Sequence, residues 1–263
     1  MSVDLTDFTA EYARHRAAEG RAYSGDELTA LPYLKTGPLA RQWGVRIRSF
    51  ETLMRDVVQP LTARRGRMLT VLDLGAGNGW LSWRLAREGH SAIALDIRED
   101  NVDGLGAART LAARSAGRMR LCPGSFDAIP LASASVDLAV FNAALHYALD
   151  LPAVLAEAMR VVRPGGRLAI VDSPFYAREA DGLAMVAEKK AQAVQRFGDG
   201  AQVLLAPPFI EFLTRERLAS ASTLAWRRNR VLYPLWYEAR PLAARLRGQR
   251  APSRFDVWAS ARP

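Results

Sequence analysis

The segment Val71 to Trp80, VLDLGAGNGW, constrains this chain more than any other. An apolar run ends at Leu74 and is followed by glycines at positions 75, 77 and 79. Glycines in that arrangement permit φ > 0 and leave no Cβ between the backbone and a ligand. The spacing therefore predicts a strand that turns tightly into a helix over Trp80 to Glu88. The first turn of such a helix presents unpaired N–H groups and the positive end of its dipole to any polar group beside the loop. Several nucleotide-type cofactors are held this way, so the loop by itself specifies only a strand-end site.

The flanking pattern extends this unit into a sheet. MLTVLDL begins it, SAIALDI reads as a second strand, Val102 to Ala116 as a helix, MRLCPG as a third strand and VDLAVFN as a fourth. A helix over Leu151 to Val162, a turn at Arg163-Pro164-Gly165-Gly166 and a strand RLAIVDSP complete the central region. Strands apolar along nearly their whole length are buried on both faces, and their alternation with helices indicates parallel pairing. Downstream come a helix over Ala177 to Phe197, a loop from Gly198 to Pro208, a short helix from Thr214, and strands over Thr223 to Val231 and Phe255 to Ala261. A late helical insert, Tyr233 to Arg250, separates the last two. The expected fold is α/β: a doubly wound, mostly parallel seven-stranded sheet with helices on both faces. Residues 1–66 read as an N-terminal helical cap, with an amphipathic stretch Trp43 to Leu61. Residues 67–263 read as the sheet domain, with a core at 68–173.

Composition narrows the function classes. A chain of 263 residues, 49% of them hydrophobic, can bury a core without staples. Cys122 is the only cysteine, which excludes an internal disulfide and a cysteine-based zinc site; it reads as a small buried hydrophobe at a strand end. No metal is expected. MSVDLTDFTAEYARHR lacks a basic start and an apolar stretch, so a cytoplasmic protein is expected. The longest apolar run, Leu138 to Leu149, is too short to span a membrane. The net charge is +9, most of it between Thr214 and Pro263, where eleven arginines face only Glu216, Glu238 and Asp256. A solvated or small-anion-facing surface is the expected reading, with a nucleic-acid or lipid surface as the alternative.

Two carboxylates sharpen the cofactor. Asp73 precedes the first glycine, where it would repel a pyrophosphate but suits an ammonium group. Asp96 ends the next strand, where a carboxylate accepts both hydrogen bonds of a ribose diol. A ligand with an ammonium, a ribose and no phosphate fits S-adenosyl-L-methionine (SAM) better than NAD.

Val71 to Ala86 resembles the glycine-rich first motif of class I (Rossmann-like) SAM-dependent methyltransferases. The resemblance continues through Ala94-Leu95-Asp96, PGSFDAIPLASASVDLAVFNAALHY and LPAVLAEAMRVVRPGGRLAIVD, over Met68 to Asp172. It implies that Asp73, Gly75, Ala76, Gly77 and Asn78 hold the methionine moiety, and that Asp96, with Ile97 beside it, holds the ribose. Ser125, Phe126 and Asp127 would flank or hydrogen-bond the adenine, and Asn142 would line the sulfonium end. Ser125 stands where the family usually carries an acid, so Asp127 is the alternative partner for the adenine N6. The product would be S-adenosyl-L-homocysteine.

Methyl transfer from a sulfonium is an in-line displacement that needs a base only for a protonated acceptor. His146 is the candidate base, against a packing role, and Tyr147 a candidate for orienting the acceptor. His15 and His90 read as solvent-facing or helix-end residues. Tyr23, Tyr33, Trp43, Phe175, Tyr176, Tyr233, Trp236 and Tyr237 are the aromatic candidates for an acceptor pocket. Arg41, Arg46 and Arg48 would either pair with an acidic acceptor or face solvent. A small organic acceptor is expected. The alternatives are an RNA methyltransferase, against which stands Asn-Ala-Ala-Leu after the fourth strand, and a non-catalytic SAM-binding scaffold. An NAD-dependent reductase is disfavoured by Asp73.

Overall fold

The computed structural model describes residues 5–23, 25–198 and 200–262. Three helices open the chain: α1 (Thr6–Ala18), α2 (Gly25–Ala30) and α3 (Ala40–Leu53). α3 continues through a wider π-helical turn, Met54–Val58, into α4 (Gln59–Arg65), which Gly66 stops in a left-handed conformation. Then follow β1 (Thr70–Leu74), α5 (Trp80–Arg87), β2 (Ser91–Asp96), α6 (Leu105–Arg114), β3 (Met119–Pro123), β4 (Val136–Asn142), α7 (Leu151–Val161) and β5 (Val162–Val171). The remainder is α8 (Glu179–Phe197), α9 (Gly200–Leu205), α10 (Arg215–Ala221), β6 (Arg227–Asn229), α11 (Leu235–Glu238), α12 (Arg240–Leu246) and β7 (Val257–Ala261).

The strands form one sheet in the order β3-β2-β1-β4-β5-β7-β6. β1 to β5 pair in parallel, and β7 runs antiparallel to both β5 and β6. Alternation along the strands sends side chains to two separate cores. Val71, Ala92, Ala94, Leu138, Val140 and Ala169 meet α3, α5 and α6 on one face. Leu72, Leu74, Ile93, Leu95, Phe141 and Ile170 meet α7 and α10 on the other. The sheet is thus doubly wound, and its order reverses between β1 and β4, where ligands lodge beyond the carboxyl ends of the strands.

Three boundaries differ from expectation. The Gly198 to Pro208 loop contains α9. The strand expected over Thr223 to Val231 shortens to β6, because only Arg227 to Asn229 reach β7. The Pro164-Gly165-Gly166 turn is part of β5, which passes β4 with a register shift between Val136 and Leu138. At Gly166 an added Cβ would sit 2.6 Å from the Asp137 carbonyl oxygen, so glycine lets the irregular strand pass close to its neighbour.

The basic excess near the end of the chain is largely tied up internally. Arg254 grips Glu238 at 2.8 and 2.9 Å and also reaches Asp256, which Arg228 shares. Arg217 pairs with Glu179 and Arg250 with Glu188, while Arg262 donates to the carbonyls of Met159, Arg160 and Val162. No helix among the described residues is long and apolar enough to cross a membrane.

Candidate active site

The glycine loop is fastened to β2. The N–H groups of Gly75 and Ala76 both donate to the Leu95 carbonyl at 2.9 Å, and Gly77 N–H donates to Asp96 Oδ2 at 2.7 Å. Gly75 adopts φ +70°, and a Cβ there would lie 2.5 Å from the Ala144 Cβ, so the backbone itself forms the wall of a cradle. Asp96 also accepts from Arg98 N–H at 2.8 Å. Burial lifts its carboxyl above the ordinary range, although these N–H donors oppose the shift. Two acceptor directions remain for a ligand, since a carboxylate offers about four.

One cavity of about 380 Å³ opens above the carboxyl ends of the parallel strands. The structure brings together on its walls Gly75, Ala76, Gly77 and Asn78, then Asp96 and Ile97, then Ser125, Phe126, Asp127 and Asn142. Phe126 stands edge-on to Phe141 with centroids 5.7 Å apart, and the Ser125 hydroxyl donates to Asp127 Oδ2 at 2.9 Å. Asn142 is buried with its Oδ1 unpartnered. These features fit a SAM-shaped group: a cradle without a Cβ, a carboxylate for a diol, an aromatic edge for a base and an orphaned amide oxygen where β4 ends.

Asp73 does not line this cavity. The period of two along β1 turns it away from the loop, toward the α5 face of the sheet, where the Ser82 hydroxyl donates to its Oδ2 at 2.9 Å. Burial pushes its carboxyl up to about 7, and Oδ1 has no partner. Its contribution is to tie β1 to α5 beneath the loop, which replaces the direct ammonium contact expected from sequence.

His146 and Tyr147 do line the cavity. Burial, reinforced by Lys189, Arg46 and Arg16, depresses His146 to about 3, leaving a neutral imidazole that is a weak base. Proton NMR is therefore expected to show no His146 titration between about pH 5 and 8, against an ordinary histidine near 6.5. Because the folded value lies below the unfolded one, the unfolded chain gains the proton first, and this site costs stability as pH falls below about 6.5. A midpoint near 6.5 for this ring would reverse that assignment. His90 is not solvent-facing: it is buried, and its Nδ1 accepts from Leu69 N–H at 3.1 Å.

The expected aromatic pocket is largely displaced. Of its candidates, only Trp43 faces the cavity. The Tyr23 hydroxyl serves as acceptor for Trp43 Nε1 at 2.8 Å, and Tyr33 is an exposed ring covered by Arg84. Phe175 stacks on Trp258, Tyr176 stands edge-on to Phe212, and the Tyr233 hydroxyl donates to the Phe255 carbonyl with Tyr237 beside it. Trp236 lies outside under Arg41 at 4.0 Å. Sequence reasoning missed three further rings that face the site, Phe8, Tyr12 and Phe209. Phe8, Tyr12 and Arg16 recur at i, i+4 on α1 and project into the cavity, where Phe209 meets them. The Tyr12 and Tyr147 hydroxyls are 2.9 Å apart, and Arg16 Nε donates to Asp103 at 2.6 Å. Arg46 enters the cavity over Trp43, with Asp172 4.0 Å away. Arg48 instead pairs with Glu51 outside.

Residues 72–170, which include the loop, Asp96, the Ser125–Asp127 segment and Asn142, match a family described as "Methyltransferase domain". They form a methyltransferase domain. A malonyl-[acyl-carrier protein] O-methyltransferase of Erwinia pyrifoliae is 36% identical over 152 residues, 58% of this chain and 48% of that protein. A ubiquinone/menaquinone biosynthesis C-methyltransferase of Dinoroseobacter shibae is 30% identical over 141 residues, 53% of this chain and 51% of that one. The chain thus matches about half the length of these curated relatives. The fold is shared with geranyl diphosphate C-methyltransferase from Streptomyces coelicolor, with TM-score 0.58, 14% identity, and coverage of 99% of this chain and 100% of that one. A Burkholderia thailandensis 1,6-didemethyltoxoflavin-N1-methyltransferase aligns with TM-score 0.52 and 17% identity, over 100% and 92% of the two chains. The methyltransferase domain accounts for the strand order β3-β2-β1-β4-β5-β7-β6 and for the site at the carboxyl ends.

Proposed function

We propose that this chain binds SAM and transfers its methyl group to a small organic acceptor. The observation that carries the reading is that one cavity joins two chemically distinct halves. The glycine loop, Asp96, Phe126, Asp127 and Asn142 make a polar nucleoside half, and Phe8, Tyr12, Trp43, Tyr147 and Phe209 make an aromatic half. Bound SAM supplies an activated methyl on a sulfonium. The chain's own work is then to orient and to exclude water. Asp96 holds the ribose, the loop from Gly75 to Asn78 holds the methionine portion, and Phe126 with Asp127 holds the adenine. Tyr147, fixed by Tyr12, orients the acceptor. Arg46 offers donors to an acidic group on the acceptor or to the cofactor carboxylate. Protein structures of this fold crystallised with S-adenosylhomocysteine support the assignment. The names of the relatives, which concern an acyl-carrier-bound malonyl group and quinones, support an organic acceptor.

The arginines that motivated an RNA acceptor are mostly paired within the fold, which removes the support for that alternative. Cytoplasmic action is part of the proposal, and the single cysteine, which leaves no disulfide within the chain, supports it. Titration calorimetry tests the cofactor: micromolar binding of S-adenosylhomocysteine and none of NADH is expected, and the opposite order would overturn the reading. Turnover across a panel of hydroxyl, carboxyl and amine acceptors tests the reaction, with binding but no turnover on any acceptor favouring a scaffold.

A further inference from the structure

The late insert carries a surface that methyl transfer does not use. Between residues 232 and 246 lie five of the ten exposed large hydrophobic side chains among the described residues, including the three most exposed: Leu235 at 89%, Leu246 at 80% and Leu232 at 72%. Leu242 is 62% exposed and Trp236 39%. This segment has an inward side as well. Tyr233 and Tyr237 are buried, Arg240 donates to the Ser253 carbonyl, and Glu238 is held by Arg254. The leucines therefore project from a segment that is anchored elsewhere, and Leu242 and Leu246 share one face of α12 at i, i+4. Charge in the segment is one-sided. Glu238 is its only acid and is already paired, whereas Arg245 and Arg247 are exposed and make no ion pair among the described residues. Arg41 lies over Trp236.

We infer that residues 232–247 dock on an anionic lipid surface, with the leucines and Trp236 entering the interfacial layer and Arg245 and Arg247 meeting headgroups. Exposed leucines and a tryptophan interspersed with arginines that make no ion pair are the composition of a segment that lies in the plane of a membrane interface. A second copy of the chain fits less well, because a two-fold contact would bring the arginines of both copies together with no free acid on the patch. A nucleic acid would satisfy the arginines and leave the leucines in water. The surface also adjoins the site: Arg41 begins the helix whose Trp43 and Arg46 line the cavity, and Phe255, which accepts from Tyr233, lines it too.

Flotation of the full chain with vesicles tests this. The wild type is expected to float with phosphatidylcholine vesicles containing about one third phosphatidylglycerol and to stay behind with phosphatidylcholine alone. The variant Leu235→Ser/Leu242→Ser/Leu246→Ser should partition at least tenfold more weakly, and Arg245→Gln/Arg247→Gln on the order of 30-fold more weakly, at unchanged thermal stability. Failure of the wild type to float, or flotation of the leucine variant like the wild type, would overturn the inference. So would a micromolar dimer in light scattering that the leucine variant converts to monomer.

Discussion

Replacing Asp96 with alanine is expected to weaken S-adenosylhomocysteine binding by about two orders of magnitude in titration calorimetry. The carboxylate has two tasks in the structure. It accepts the N–H groups of Gly77 and Arg98 at 2.7 and 2.8 Å, and it faces the cavity with lone pairs to spare for a ribose diol. Removing it deletes two charge-assisted hydrogen bonds to the ligand, roughly 1.5 kcal/mol or more each, which together correspond to about 100-fold or greater. The same change frees the Gly77 N–H and loosens the loop. Asp96→Asn separates the two tasks, since an amide retains one acceptor oxygen and loses the charge, so an intermediate affinity is expected. Equal affinity of Asp96→Ala and wild type would remove the ribose from this corner of the cavity, and with it the orientation of the whole ligand.

A second large effect is expected at Gly75→Ala. The position has φ +70°, and a new methyl group would meet the Ala144 Cβ at 2.5 Å. The left-handed conformation costs a side-chain-bearing residue about 1–2 kcal/mol, and the overlap adds a cost of the same order. Ala144 cannot move aside easily, because its carbonyl accepts from Tyr147 N–H at 2.9 Å at the edge of the same cavity. A fall in Tm on the order of 5–10 °C is expected for about 3 kcal/mol in a chain of this size, together with at least tenfold loss of S-adenosylhomocysteine affinity. Gly44→Ala is the matched control: it lies inside α3 with nothing within 4 Å of an added Cβ, so unchanged or slightly raised stability is expected. Near-wild-type melting and binding for Gly75→Ala would show that the loop yields, contrary to its bonding to Leu95.

What could be read from sequence was what is local along the chain. The β1 strand, its loop and α5 lie within eighteen residues, so the turn, the helix start and the cradle are all specified by neighbours. Asp96 was legible for the same reason, as an acid at a strand end. Asp73 was misread because a carboxylate beside a glycine loop can face either side of its strand. Only the pleat, which aims it at Ser82, decides between them. The aromatic half was legible only in part: Trp43 and Tyr147 were candidates by residue type, but Tyr12 and Phe209 come from segments 197 positions apart, and no periodicity reports which segments meet. Tyr23, Tyr33, Tyr176, Tyr233 and Trp236 were plausible by residue type, but Tyr23, Tyr176 and Tyr233 are used in internal contacts and Tyr33 and Trp236 lie at the surface. A weak signal did exist, in the i, i+4 spacing of Phe8, Tyr12 and Arg16.

The position of β7 has a consequence for how the protein must be made. It is synthesised after the other six strands, yet it lies between β5 and β6. Until it emerges from the ribosome, β5 presents the bare backbone edge from Arg167 to Ile170, flanked by buried apolar side chains, and β6 has no partner. An open edge of that kind invites pairing with other chains. Translation therefore passes through an interval in which most of the methyltransferase domain exists but its sheet cannot close. Pausing within the Arg-rich stretch before residue 257 would lengthen the exposure to aggregation and to chaperone capture.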